Sequence, residues 1–229
     1  TEIYTLSLHD ALPICIANSK YHLARVAIEQ NHFAEARRML QESEATINAM
    51  PQPEGLGDIL FYQGFIAFAD GVRLDDAEPL FEQALEHYEN EGDQTGKIEV
   101  SRIQAQAAVK REKFDRAEEL ALQAKRLSEK LQDRSQLASS LFTLTTTYLE
   151  KGDLELARIY GEECLTLSRR IGIKRVEGLV LRQLCRVTRR AGDVEKAVAF
   201  CKESIDIFEL LGTELSQAFS LNEIGRASC

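Results

Sequence analysis

One short pattern recurs along this chain at intervals of forty residues, and nothing else in the sequence limits the possible folds so strongly. Residues 151–157 read KGDLELA and residues 191–197 read AGDVEKA. Forty residues before the first of these stands REKFDRA (111–117), and forty before that GVRLDDA (71–77). A degenerate copy, HFAEA at 32–36, is offset by about one residue. Self-similarity at such a period marks chains built from stacked local units, each burying its apolar face against the next.

Each unit reads as two helices. Before the turn, apolar residues recur at helical spacing: Leu141, Leu144 and Tyr148 in one copy, Leu181, Leu184 and Val187 in the next. After it come Leu156, Ala157, Tyr160, Cys164, Leu165 and Leu167, then Val198, Cys201, Ile205 and Phe208. Steps of three and four residues give an amphipathic helix with one buried stripe. Gly152 and Gly192 suit the left-handed backbone that closes a helix. Asp153 and Asp193 stand where a carboxylate caps the free amides of the helix that follows. No segment sustains the alternation of a strand, and the composition favours Ala, Leu, Glu and Arg, all good helix formers.

The small residues are the most specific feature. Ala77, Ala117, Ala157 and Ala197 share one place early in the second helix, and Ala84, Ala124, Cys164 and Ser204 follow seven residues later. A small side chain two turns along one face lets a neighbouring helix approach closely, as stacked antiparallel pairs require. With its Gly-Asp turn, alanine, aromatic and second alanine, the pattern resembles the tetratricopeptide repeat. Residues 71–85, GVRLDDAEPLFEQAL, match the second-helix half through Ala77, Phe81 and Ala84. The longer period is similar to the variant found in maltose-regulator-like bacterial transcription activators, in signalling ATPases with helical sensor arrays, and in kinesin light chains. Gln104 and Thr145 stand where leucine and glycine are usual in the family. The resemblance implies an all-α, right-handed α-solenoid of antiparallel helix pairs with about five repeats, whose first helices line a concave groove.

The two ends depart from the pattern. Residues 1–14, TEIYTLSLHDALPI, resemble a translated sequencing adapter, and residues 223–229, EIGRASC, the matching adapter at the other end. Both are expected to be foreign, which leaves 15–222 as the repeat array of a larger protein. LSLHDAL is amphipathic, but Pro13 is expected to break any helix before the array begins. Residues 213–222 are expected to open a further first helix. End helices without stacking partners offer a route to self-association.

Candidate chemistry is sparse. No run approaches the roughly 18 apolar residues of a membrane span. A net charge of −9 argues against general nucleic-acid binding, which needs a basic surplus. Reading RNA repeat by repeat would require basic and polar residues at fixed positions in every unit. Cys164, Cys185 and Cys201 show no metal-ligand spacing. They are expected to be packed, unpaired thiols, which fits a reducing, cytoplasmic setting. His22, His32 and His87 have no nucleophile at motif spacing, and no phosphate-binding glycine loop occurs. Neither catalysis, metal nor cofactor is expected.

One cluster stands out. Arg182, Arg186 and Arg189 or Arg190 share one face of a first helix. In a tetratricopeptide-like array that stripe would continue through Phe142, Thr146 and Leu149 to Arg102 and Gln106. Arginine recognises carboxylate or phosphate with a planar, two-pronged donor set, so an acidic peptide would suit the groove. The competing reading is that these arginines pair with glutamates of adjacent helices. The asparagines of a carboxylate clamp for chaperone tails are missing. The expectation is a protein-interaction scaffold, the sensor or regulatory segment of a larger bacterial signalling or transcription-regulatory protein. The alternative is the helical portion of an enzyme whose catalytic domain lies elsewhere.

Overall fold

Amphipathic stripes with capped ends predict a chain of short helices, and the computed structural model contains eleven among the residues it describes, 8–50, 55–70, 74–212 and 214–227. They are α1 (Leu8–Glu29), α2 (Phe33–Asn48), α3 (Leu56–Asp70), α4 (Leu74–Glu91), α5 (Gln94–Lys110) and α6 (Phe114–Lys130). There follow α7 (Arg134–Lys151), α8 (Leu154–Ile171), α9 (Lys174–Arg190), α10 (Val194–Leu210) and α11 (Glu214–Ala227). No strand occurs among the described residues. The adapter-like residues 1–7 and 228–229, and the motif residues 71–73, lie outside them.

Odd-numbered helices are the first of each pair and even-numbered helices the second. The chain divides into two compact units, Thr1–Val100 and Ser101–Cys229. In the first unit α1 packs on α2 and α3 on α4, with α2 and α3 also in contact. In the second, α6 through α11 each pack on the next, and α9 also touches the first helices α7 and α11. This is a tetratricopeptide-like helical-repeat fold.

The turns come at twice the frequency that the sequence pattern marks. From residue 92 onward the chain takes positive φ every twenty residues, at Gly92, Glu112, Gln132, Gly152, Gly172, Gly192 and Gly212. Gly152 has φ 92° and closes α7, sending its amide to the carbonyls of Tyr148 and Leu149. Glu112 (φ 57°) and Gln132 (φ 55°) hold the same conformation with a side chain attached. Asp153 accepts from the Leu156 amide at 3.0 Å, and Asp193 from that of Lys196 at 3.1 Å. Asp133 caps α7 in the same way through Ser135 and Gln136.

Second helices bury one narrow stripe, which begins at Ala36, Ala77, Ala117, Ala157 and Ala197, all essentially inaccessible. First helices are covered more widely; α7 and α9 each touch the second helices on both sides of them as well as another first helix. The second small position has a chemical role besides its size. Ser43, Cys164 and Ser204 each donate to a first-helix carbonyl, that of Ala17 (2.8 Å), Ala138 (3.2 Å) and Gly178 (2.8 Å) respectively. Ala84 and Ala124 fill the equivalent places by size alone and are fully buried. Burial pushes the Cys164 thiol up to about 12, so it stays protonated.

Three expectations need correction. Pro13 does not break α1, which runs through it from Leu8. It removes one amide donor, while the rest of the helix is held against α2 through Ala17, Ala24 and Ala27. Leu149 does not reach a surface; it is fully buried among Leu144, Tyr148, Ala157 and Val187. Cys185 and Cys201 are not free thiols but a disulfide, with Cα atoms 5.4 Å apart. They lie eight residues either side of Asp193, and antiparallel helices bring residues equidistant from their turn together. Of residues 213–222, 214–222 lie in α11 and 213 lies outside the described residues; residues 8–14 of the other adapter-like end are helical, in α1.

Candidate functional site

The nominated row lies on the first helices of the second unit. Arg102 and Gln106 stand on α5, Phe142 and Thr146 on α7, and Arg182, Arg186 and Arg189 on α9, all half-buried. The repeat explains the column: Arg102, Phe142, Arg182 and Asn222 are successive occupants of one position, as are Gln106, Thr146 and Arg186 of the next turn. Helices α7 and α9 are in contact, and side-chain bonds between them join Arg186 and Arg190 to Glu150 and Leu149 at the end of α7. The Thr146 hydroxyl is itself donated to the Phe142 carbonyl at 3.1 Å, one of four threonine back-bonds in α7.

Pairing with neighbouring glutamates accounts for three of the four arginines between 182 and 190 on α9. Arg186 donates to Glu150 at 2.6 Å and to Gln183 at 2.9 Å. Arg190 donates to the Leu149 carbonyl at 2.6 Å and reaches the other oxygen of Glu150 at 3.5 Å. Arg189 pairs with Glu223 on α11 at 3.2 Å. Arg182 makes no direct ion pair among the described residues; its guanidinium lies over the Phe219 ring, 5.6 Å from the centroid. Burial holds its pKa below the ordinary arginine value; the charge of Arg186 one turn away acts in the same direction and that of Glu223 opposes it. Four cations thus share two carboxylates, in a chain whose net charge is −9.

An aromatic cluster in the first unit occupies the matching sequence position. Tyr62 stands forty residues before Arg102, and Tyr21 forty-one before Tyr62, the offset of the degenerate first copy. Their rings meet edge to face at 5.7 Å, and the Arg25 guanidinium lies over both, at 5.7 and 5.5 Å. Burial raises both phenols above the ordinary value, helped by Asp58 at Tyr21 and by Glu99 at Tyr62. Extending the forty-residue register through the one-residue offset is the signal that would have found them.

No protein-family model matches the sequence, and no curated protein sequence does. Solved structures match the fold. A signal transduction ATPase with a tetratricopeptide repeat sensor from Pyrococcus horikoshii aligns at TM-score 0.72 and 18% identity, over 92% of this chain and 32% of that one. A Rap protein complexed with competence and sporulation factor aligns at TM-score 0.81 and 13% identity, over 91% of this chain and 61% of that one. A putative kinesin light chain of Podosopora anserina, with nearly identical tetratricopeptide-like repeats, aligns at TM-score 0.59 and 16% identity, over 83% and 93%. The chain therefore spans about a third of the ATPase and less than two thirds of the Rap protein.

Proposed function

We propose that this chain is a protein-binding repeat scaffold that takes up an acidic peptide or partner segment on the first-helix face of its second unit. The observation that carries the reading is Phe142, Thr146, Arg182 and Arg186 on the contacting first helices α7 and α9, with Arg102 on α5 in the same repeat position. These side chains are half-buried and combine aromatic and cationic character, and the four arginines between 182 and 190 on α9 share Glu150 and Glu223. Such a row offers apolar contact and anion recognition side by side. In a solenoid it would line the concave groove. A tetratricopeptide sensor in a signalling ATPase and a Rap protein solved with its factor share this fold, which supports a sensor or regulatory segment of a larger signalling or transcription-regulatory protein.

The test is an unbiased peptide library selected on the full chain, followed by titration of the recovered peptides against two variants. Thr146→Trp fills the first-helix face, and Thr166→Trp places the same bulk on the exposed side of α8. Affinity should fall at least about tenfold for the first and hold for the second. Peptides that bind Thr146→Trp as well as wild type would remove the reading.

A further inference from the structure

Glu150 stands at the end of α7 in the repeat position that α9 fills with Arg190, forty residues on. Its two oxygens are taken by two different arginines of the next first helix, Arg186 at 2.6 Å and Arg190 at 3.5 Å. The Arg186 and Glu150 side chains are 23% and 27% exposed, so the pair is screened less than a surface bridge yet is open to solvent. One turn back along the same face, Arg182 has the Phe219 ring and feels the charge of Glu223, but no carboxylate pairs with it directly among the described residues. Residues four apart on a helix are neighbours, so Arg182 and Arg186 repel one another while one carboxylate serves Arg186 and Arg190 together.

We propose that Arg182 and Arg186 form a subsite for a side-chain carboxylate of the acidic partner segment, and that Glu150 is an internal stand-in that occupies Arg186 until the partner arrives. A carboxylate entering beside Arg182 gives that cation a directly paired anion, which the more distant Glu223 does not supply. It also relieves the repulsion from Arg186 and competes with Glu150 for the Arg186 donors. The ligand class is a carboxylate because a carboxylate oxygen already sits at 2.6 Å from Arg186. Phe219, exposed at 58% and lying over Arg182, and half-buried Phe142, which holds the repeat position of Arg182 on α7, add apolar surface to the row, so the acidic residue would be accompanied by an apolar one. Glu150 thereby sets a ceiling on affinity: each ligand must displace it or share its arginine. This inference rests on the peptide-binding reading of the first-helix face.

The experiment titrates a fluorescein-labelled oligo-glutamate peptide into the full chain, with oligo-glutamine and phosphoserine-containing peptides as further arms. Arg182→Gln should weaken the glutamate peptide about tenfold or more, and Glu150→Gln should tighten it by about three- to tenfold. Both effects should shrink as salt is raised. Glu150→Gln binding no more tightly than wild type, with its helical circular dichroism unchanged, would overturn the stand-in role. Arg182→Gln binding normally would overturn the subsite. In either case a loss in Thr146→Trp leaves the peptide-binding face standing, whereas its absence removes that reading too. A phosphoserine peptide that binds far more tightly, with the same dependence on Arg182 and Glu150, would overturn the carboxylate assignment in favour of phosphate.

Discussion

Alanine at position 161 tests the closeness of the α8–α9 packing directly. A Cβ built on Gly161 would lie 2.6 Å from Leu184 Cδ2, 3.1 Å from its Cγ and 3.3 Å from Thr145 Cγ2. Carbon atoms pack best at about 3.5–4.0 Å, so Leu184 or α8 must move. Overpacking of this kind costs about 1–3 kcal/mol, and alanine recovers about 1 kcal/mol through its higher helix propensity. Gly161→Ala should therefore destabilise by about 0–2 kcal/mol. Leu184→Ala empties a fully buried site and should cost about 2–5 kcal/mol. In the double variant the new methyl enters the space that Leu184 vacates. The overpacking cost disappears and part of the cavity is filled, so the combined loss should fall short of the sum by about 1–3 kcal/mol. The assay is urea unfolding of the four proteins by helical circular dichroism, with slopes compared first because repeat arrays need not unfold in one step. Additivity within about 0.5 kcal/mol would refute the contact. Outright stabilisation by Gly161→Ala would show that the space exists and refute the close approach.

Three further outcomes follow from particular residues. Gln132 holds φ 55°, so Gln132→Gly should raise stability by about 0.5–1 kcal/mol in the same assay, and a loss would contradict the left-handed turn. The Cys185–Cys201 bridge predicts a cross-linked peptide in non-reducing digests and a stability loss of up to about 3 kcal/mol on reduction; free thiols at both positions would remove it. The Glu118 carboxyl is held below the ordinary 4.5 by hydrogen bonds from Lys151 first and then Tyr148. A depressed carboxyl adds stability above its unfolded value and loses it as pH falls through the folded one, so acid should weaken the fold below about pH 4.5. Lys151→Met should flatten that decline, and an unchanged acid limb would count against the network.

Much of the architecture was legible because it is local and periodic. The Asp153 and Asp193 caps, the left-handed Gly152 and Gly192, and the buried alanines from Ala77 to Ala197 each answer to residues within one or two turns. Turns at Glu112 and Gln132 were harder to see because no glycine marks them. The disulfide could have been read by reflecting Cys185 through the turn at Asp193 onto Cys201. The Tyr21–Tyr62 cluster was hidden by the one-residue offset of the first copy.

The sequence by itself determined a row of helix pairs, their turns, and which side chains share a face of each helix. Tertiary structure decided which of those side chains meet a partner. Arg182 and Arg186 are one turn apart and alike in sequence, yet Arg186 pairs directly with Glu150 thirty-six residues away, whereas Arg182 lies over the Phe219 ring with no direct ion pair among the described residues. Leu149, placed on the surface by its spacing, is sealed in the core. The helical repeat fixes the direction in which a side chain leaves its own helix. What it meets depends on the distance and stagger of the next helix, and packing alone sets those.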